Sequence, residues 1–209
     1  RSYVRVKRAA DAAMAAVLLV LLLPVIGLVA LAVALAVGRP VIFWQDRTGL
    51  GGRRFHLLKF RTMTDAFDAS GRKLTDAERV NGVCRFLRAT RLDELPQLWN
   101  ILVGEMSFVG PRPLLVADQI DGAMVRHMVR PGLTGWAQVK GGRAIGAVDK
   151  MALDVWYVQN ASLWLDVKIV MLTVPMILFG ERVSSEAVTR AWSDLRLSGV
   201  CPPEQGPAS

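Results

Sequence analysis

The sequence predicts a mainly α protein with a small β-hairpin, built on an apolar membrane helix near its N-terminus. Three observations carry that expectation. Residues 12–38 contain no charged side chain. Two short β-type runs flank a glycine-rich turn at residues 48–52. Beyond Asp149 the chain reads as two helical stretches reaching Phe179. At 209 residues, 52% hydrophobic, with a mean hydropathy of +0.33, the chain suits one domain plus a membrane element. It opens on Arg1 rather than methionine, as an excerpt of a longer protein would.

Taken in order, the first element is the apolar run. As one helix it would be about 40 Å long, more than the hydrocarbon core of about 30 Å. It is too long for a signal peptide and lacks a small-residue cleavage site. Pro24 lies in its middle with Gly27 close behind, so a kink is expected. Both flanks are basic: Arg1, Arg5, Lys7 and Arg8 before it, Arg39, Arg47, Arg53 and Arg54 after it. That symmetry gives no orientation. A spanning helix and one that bends at Pro24 and returns are left equally open.

Residues 41–46 and 55–60 follow as strands of a hairpin, joined through Gly49, Gly51 and Gly52. Residues 64–82 read as a polar loop. Residues 83–91 read as a helix with Arg85, Arg88 and Arg91 along one ridge. Residues 95–102 read as a second helix with Pro96 in its first turn, which puts Asp93 at or near the N-cap. The charge-free stretch 169–180, interrupted by Pro175, is too short to span. It reads either as an interfacial amphipathic helix, with Trp156, Tyr157, Trp164 and Trp192 at headgroup level, or as a core helix. The proline-rich end, 202–209, reads as a disordered tail.

The formal charge is +8, with a pI near 10.2. Such an excess suits nucleic acid, an anionic leaflet or phosphate substrates. No nucleic-acid-binding motif is present, and the apolar run favours the membrane. Cys84 and Cys201 form no CxxC, which excludes a disulfide framework and a zinc site as readings. His56 and His127 have no nucleophile context, and there is no P-loop.

The chemistry centres on Asp93 and Glu94. A carboxylate at a helix start is favoured by the dipole, and with Arg88 or Arg112 near it Asp93 would stay ionised. It could then act as a nucleophile or ligate a hard cation such as Mg²⁺. Glu94 could position a metal or handle a proton. The competing reading, simple helix capping, is stronger for the pair alone. Lys59, Arg61, Arg88 and the proline-flanked Arg112 shift the balance, because guanidinium forks suit bidentate phosphate contact. An acid pair within an arginine cage suits attack on phosphorus.

The motifs Lys7-Arg8-x-x-Asp11, Lys59-Phe60-Arg61-Thr62-Met63, Leu92-Asp93-Glu94-Leu95-Pro96-Gln97-Leu98-Trp99-Asn100, Met106-Ser107-x-Val109-Gly110-Pro111-Arg112-Pro113 and Arg130-Pro131-Gly132-Leu133-Thr134-Gly135 occur in that order. Together they resemble the bacterial sugar transferases, the monotopic phosphoglycosyl transferases. The resemblance implies a re-entrant N-terminal helix (residues 1–40) broken at Pro24, and interfacial amphipathic helices around a compact cytoplasmic catalytic domain (41–200), with a tail at 201–209. It implies transfer of a sugar 1-phosphate, of galactose or glucose type, from a UDP-sugar to undecaprenyl phosphate, with Mg²⁺ and release of UMP, at the bacterial inner membrane. Asp93 would be the nucleophile and a metal ligand, and Glu94 its assistant. Lys59, Arg61, Arg88, Arg112 and Arg143 would bind phosphate or nucleotide. Membrane lipid is an implied partner, nucleic acid is not, and a homodimer is left open. Leu23, Arg91 and Ala161 depart from residues common in the family. Two other schemes stay in view: a ternary complex with Glu94 as general base, and a non-catalytic module holding anionic lipid.

Overall fold

The computed structural model describes residues 2–67, 70–115, 123–142 and 144–197. The chain is mainly helical, with two two-stranded sheets. Its order is α1 (Ser2–Leu21), α2 (Leu23–Ala36), β1 (Ile42–Thr48), β2 (Arg54–Phe60), α3 (Gly82–Ala89), α4 (Gln97–Val103), β3 (Ser107–Val109), β4 (Gly132–Thr134), α5 (Trp136–Lys140), α6 (Ala147–Asn160), α7 (Leu163–Phe179) and α8 (Ser185–Leu197). Short 3-10 turns lie at Leu50–Gly52, Leu92–Glu94 and Ala123–Met128. The chain divides into two compact units, one of Arg1–Asp11, Asp46–Phe55 and Gly104–Ser209, the other of Ala12–Gln45 and His56–Val103.

The second unit holds the apolar run. The axes of α1 and α2 differ by 65°. Pro24 stands in the first turn of α2, where it cannot donate to the carbonyl of Val20, so the α-ladder of the preceding helix ends. Among the described residues no single helix is long and apolar enough to cross a membrane; the bent pair together has the length and composition. One stripe of α2, Val29 and Val33, is buried with Phe60 of β2 and Leu87 of α3. Leu28, Leu31 and Leu35 are exposed. Asn81 caps α3, accepting from the Cys84 amide at 2.9 Å, and its amide group donates to the Ala36 carbonyl at 2.8 Å. Asn100 of α4 is buried and pins β2: its Oδ1 accepts from Leu58 N and its Nδ2 donates to His56 O.

The first unit has the larger core, in which Trp136, Met151, Leu153, Tyr157, Leu165, Ile169, Ala191 and Leu195 are buried together. β3 and β4 run parallel, pairing Ser107 with Gly132 and Val109 with Thr134. The glycines of this region are there because backbones touch. A Cβ on Gly132 would lie 2.1 Å from Gly110 N, and one on Gly110 would lie 2.3 Å from Arg130 O. Asp166, buried at the start of α7, accepts from Tyr3 Oη (2.9 Å), Lys7 Nζ (2.8 Å) and Tyr157 Oη (2.6 Å). Arg126 and Asp154 form a second buried pair at 2.7 Å.

Several expectations are corrected. Asp93 is not an N-cap: it sits inside the 3-10 turn Leu92–Glu94, and α4 starts only at Gln97. Pro96 has no N–H to give the Leu92 carbonyl, so no α-type bond closes this corner and its bonds run i to i−3, from Glu94 N to Arg91 O and from Leu95 N to Leu92 O. The arginine ridge also breaks. α3 ends at Ala89, and Arg91 adopts a left-handed backbone with φ of 59°. Tyr157 is a core residue and no headgroup anchor, being held by Asp166. Trp156 and Trp192 are part-buried, donating to Asp194 at 2.7 Å and Asp149 at 2.9 Å. Only Trp164 of that group is well exposed, at 77%. The sheet β3–β4 and the helices α5 and α8 add to the elements expected. The segment 202–209 lies outside the described residues.

Candidate active site

The 3-10 turn that carries Asp93 and Glu94 is fixed by its neighbours in the second unit. β2 brings Lys59, α3 carries Arg88 in its last turn, and the left-handed residue Arg91 turns the chain so that the acid pair follows at once. Both acids are buried, Asp93 at 9% and Glu94 at 8% exposure. Their surroundings differ. Glu94 Oε1 lies 3.0 Å from Lys59 Nζ, and Glu94 Oε2 lies 3.7 Å from Arg91 Nη1. Asp93 has no ion pair within 4 Å among the described residues.

Burial pushes the Asp93 carboxyl above its usual range, and the charge of Glu94 adds to that. Lys59 and Arg88 oppose the shift without cancelling it. Burial therefore makes the Asp93 anion costlier than it would be in water, against the pull of Lys59 and Arg88. Such a group is a strong candidate nucleophile, because its charge is poorly compensated until something electrophilic or cationic arrives.

The other expected residues fall in both units. Arg88 Nε donates to the buried Thr62 Oγ1 at 2.8 Å. Arg61 lies at the end of β2, donating to Met63 O at 3.1 Å and Arg39 O at 3.2 Å and pairing with Asp65. Lys59, Arg61, Arg88, Asp93 and Glu94 thus all belong to the second unit. Arg112 is an exposed residue of the first unit, and its carbonyl accepts from Arg126 Nη2 at 2.9 Å. Arg143 lies outside the described residues. Sequence reasoning marked Arg91 as a cation beside the acid pair without pairing it to Glu94, and missed the roles of Thr62 and Asn100. A cation three residues before Glu94 was a usable signal; Thr62 and Asn100 gave none, because their partners are distant in sequence.

Among the described residues no three His, Cys, Asp or Glu side chains gather as a metal cage. Magnesium does not need one, since it is commonly held by one or two carboxylates plus substrate phosphates. The under-compensated Asp93 beside Glu94 fits that donor set.

The chain matches the model of the bacterial sugar transferase family over residues 2–180. It is 49% identical over 155 residues to the uncharacterized sugar transferase EpsL of Bacillus subtilis, covering 72% of this chain and 76% of that one. It is 44% identical over 183 residues to the UDP-glucose:undecaprenyl-phosphate glucose-1-phosphate transferase of Escherichia coli, covering 80% of this chain but only 39% of the relative. A protein of the same name from Caulobacter vibrioides is 44% identical over 188 residues, covering 82% and 69%. By the extent of the family match and by these identities, this chain belongs to the bacterial sugar transferases.

Proposed function

We propose that the chain transfers a hexose 1-phosphate, of glucose or galactose type, from a UDP-sugar to undecaprenyl phosphate through a covalent intermediate on Asp93. The observation that carries this reading is the unequal treatment of two adjacent buried acids: Glu94 is clamped by Lys59 and Arg91, while Asp93 has no counterion of its own among the described residues. The names of the Escherichia coli and Caulobacter relatives support the donor and acceptor classes.

In the first step an Asp93 carboxylate oxygen attacks the phosphorus that bears the sugar. The bridging P–O bond of the diphosphate breaks, and UMP leaves with the electron pair. In the second step an oxygen of undecaprenyl phosphate attacks the aspartyl phosphosugar, and the Asp93 carboxylate is expelled. One phosphoanhydride is broken and one is made, so the exchange is nearly balanced. Lys59 and Arg88 lower the cost of the charge on Asp93 and on the phosphoryl oxygens; Arg61, Arg112 and Arg143 are the further phosphate-binding candidates. A Mg²⁺ ion, held by Asp93 and the donor's diphosphate, would neutralise the leaving group. Glu94 suits a positioning role better than that of a general base, because taking a proton would weaken its links to two cations.

The same proposal sets the protein at the cytoplasmic face of the bacterial inner membrane, with α1 and α2 entering and leaving on one side. The 65° bend and the basic residues at both ends of the apolar run support it. The exposed apolar residues of α7, among them Trp164, Met171, Leu178 and Phe179, suit contact with lipid. The product would prime an exopolysaccharide or another lipid-linked glycan.

The test is incubation with labelled UDP-glucose or UDP-galactose in the absence of acceptor, followed by peptide mass mapping. A phosphohexose on the peptide carrying Asp93 is expected. Transfer that requires both substrates together, with no adduct at any time, would overturn the covalent route.

A further inference from the structure

Pro111 and Pro113 have no N–H, so the turn around Arg112 is fastened through its acceptors. Four successive carbonyls are engaged by three other segments of the first unit. Pro111 O accepts from Gly132 N at 2.9 Å, Arg112 O from Arg126 Nη2 at 2.9 Å, Pro113 O from Arg47 Nη1 at 3.1 Å and Leu114 O from Thr48 N at 3.3 Å. Both prolines are buried, whereas Arg112 between them is exposed.

The middle two of these bonds come from guanidiniums rather than from backbone. Arg126 is buried, and its Nη2, which carries two hydrogens, also lies 2.7 Å from Oδ2 of the buried Asp154 in α6. Burial pushes the Asp154 carboxyl up to about 6, against the pull of Arg126. A buried ion pair is a poor source of stability, since a well-packed apolar pair of similar volume does as well. Arg126 Nε is moreover buried with no hydrogen-bond partner among the described residues. An apolar pair, however, could not donate to the Arg112 carbonyl. Arg112 precedes a proline, which already confines its backbone to extended geometry. Fixing its carbonyl fixes its ψ, and with it the direction in which the side chain leaves the turn.

We propose that Arg126, held in turn by Asp154, is a positioning residue for Arg112, with Arg47 its counterpart on the following carbonyl. Together they aim the Arg112 fork so that it meets a phosphate in one geometry. This role depends on Arg112 binding phosphate in the proposed transfer.

The test is a mutant cycle on the full chain in nanodiscs. It is read as transfer to undecaprenyl phosphate from labelled UDP-glucose or UDP-galactose, whichever is the faster donor. The paired replacement Arg126→Met with Asp154→Leu removes the donor without stranding a buried charge. It should keep the melting temperature and lower kcat/KM by about ten- to a hundredfold, the scale of a misplaced contact group. Arg112→Ala should cost about 10²–10³-fold, as for the loss of one charge-stabilising group. Adding the paired replacement to Arg112→Ala should cost nothing further, because nothing is left to aim. Arg47→Met, at a part-buried position, should behave in the same way and carries the test if the paired replacement fails to fold. Losses that multiply with that of Arg112→Ala would show a general structural role and overturn the positioning role alone. Undiminished kcat/KM in both the paired and the Arg47 variants would do the same. Undiminished transfer by Arg112→Ala would remove Arg112 from phosphate binding, and the positioning role with it.

Discussion

Lys59 Nζ sits 3.0 Å from Glu94 Oε1, and that pairing leaves the neighbouring Asp93 as the under-compensated acid of the turn. The division of labour can be separated by mutation. Asp93→Asn should abolish both the covalent adduct and transfer, by at least about a thousandfold, since an amide cannot attack phosphorus. Glu94→Gln should slow transfer yet still allow an adduct to form from UDP-sugar alone. Mass mapping of both variants reads the difference. An adduct in Asp93→Asn would remove Asp93 from the mechanism.

Titration of Asp93 gives a second expectation. Its folded-state pKa lies above the unfolded value, through burial and then Glu94. The native chain therefore binds that proton more tightly than the unfolded chain. The stabilisation is fully present below the unfolded value and is lost as pH rises through the folded one. Asp93→Asn should then raise the melting temperature at neutral and alkaline pH. The gain is on the order of 1 kcal/mol for each tenfold by which folding tightens the proton. It should vanish as pH falls below the ordinary aspartate range. In kcat/KM, the acid limb should lie above that range, and Lys59→Met should move it further up. A Tm difference independent of pH would contradict the assignment.

Much of this site was legible in the sequence, and the illegible part has a physical cause. Asp93, Glu94, Lys59, Arg61 and Arg88 could be singled out because charged residues at element ends are local signals. The 65° bend could be anticipated because Pro24 removes a specific ladder bond. The position of Asp93 in a 3-10 turn could not, because Pro96 permits either an N-cap at residue 93 or a delayed helix. Tyr157 looked like an interfacial aromatic because its acceptor, Asp166, is supplied by a different helix. The sheet β3–β4 escaped because three-residue strands carry too little alternation to be seen.

The bend itself is testable. Leu22 N donates to Leu18 O and Ile26 N to Leu22 O, each at 2.8 Å, so the ladder is intact on either side of the position that Pro24 leaves empty. Cysteines introduced at Ser2 and Gly38, with Cys84 and Cys201 replaced, should both label from the cytoplasmic side. Pro24→Leu restores the donor, and a straightened helix of this length can cross. One of the two labels should then move to the other side. Opposite-side labelling in the unmodified helix would contradict re-entry.

Asp166 is the acceptor for three donors from α1 and α6. Removing it strands Tyr3, Lys7 and Tyr157 at once. Asp166→Ala should cost roughly 3–5 kcal/mol, as when one partner of a buried ion pair is deleted. Asp166→Asn keeps the shape and one acceptor oxygen, and should cost less, about 1.5–3 kcal/mol. Denaturant unfolding of the two variants in detergent checks the order. An equal cost would mean that the charge on Asp166 contributes nothing.

Gly132 decides whether the motif Arg130-Pro131-Gly132-Leu133-Thr134-Gly135 serves packing or ligand contact. An added Cβ would stand 2.1 Å from Gly110 N and 2.3 Å from Thr134 O, both backbone atoms that no rotamer can move. Gly132→Ala must therefore push β4 away from β3 and break the pairing of Ser107 and Val109 with it. A loss above about 4 kcal/mol is expected, the range of severe overpacking. Gly146→Ala is the control, because nothing lies within 4 Å of its Cβ position; as the N-cap of α6 it should cost no more than about 1 kcal/mol. If Gly132→Ala instead melted normally and lost only activity, the glycine would be clearing space for a substrate, and the packing account of this motif would fail.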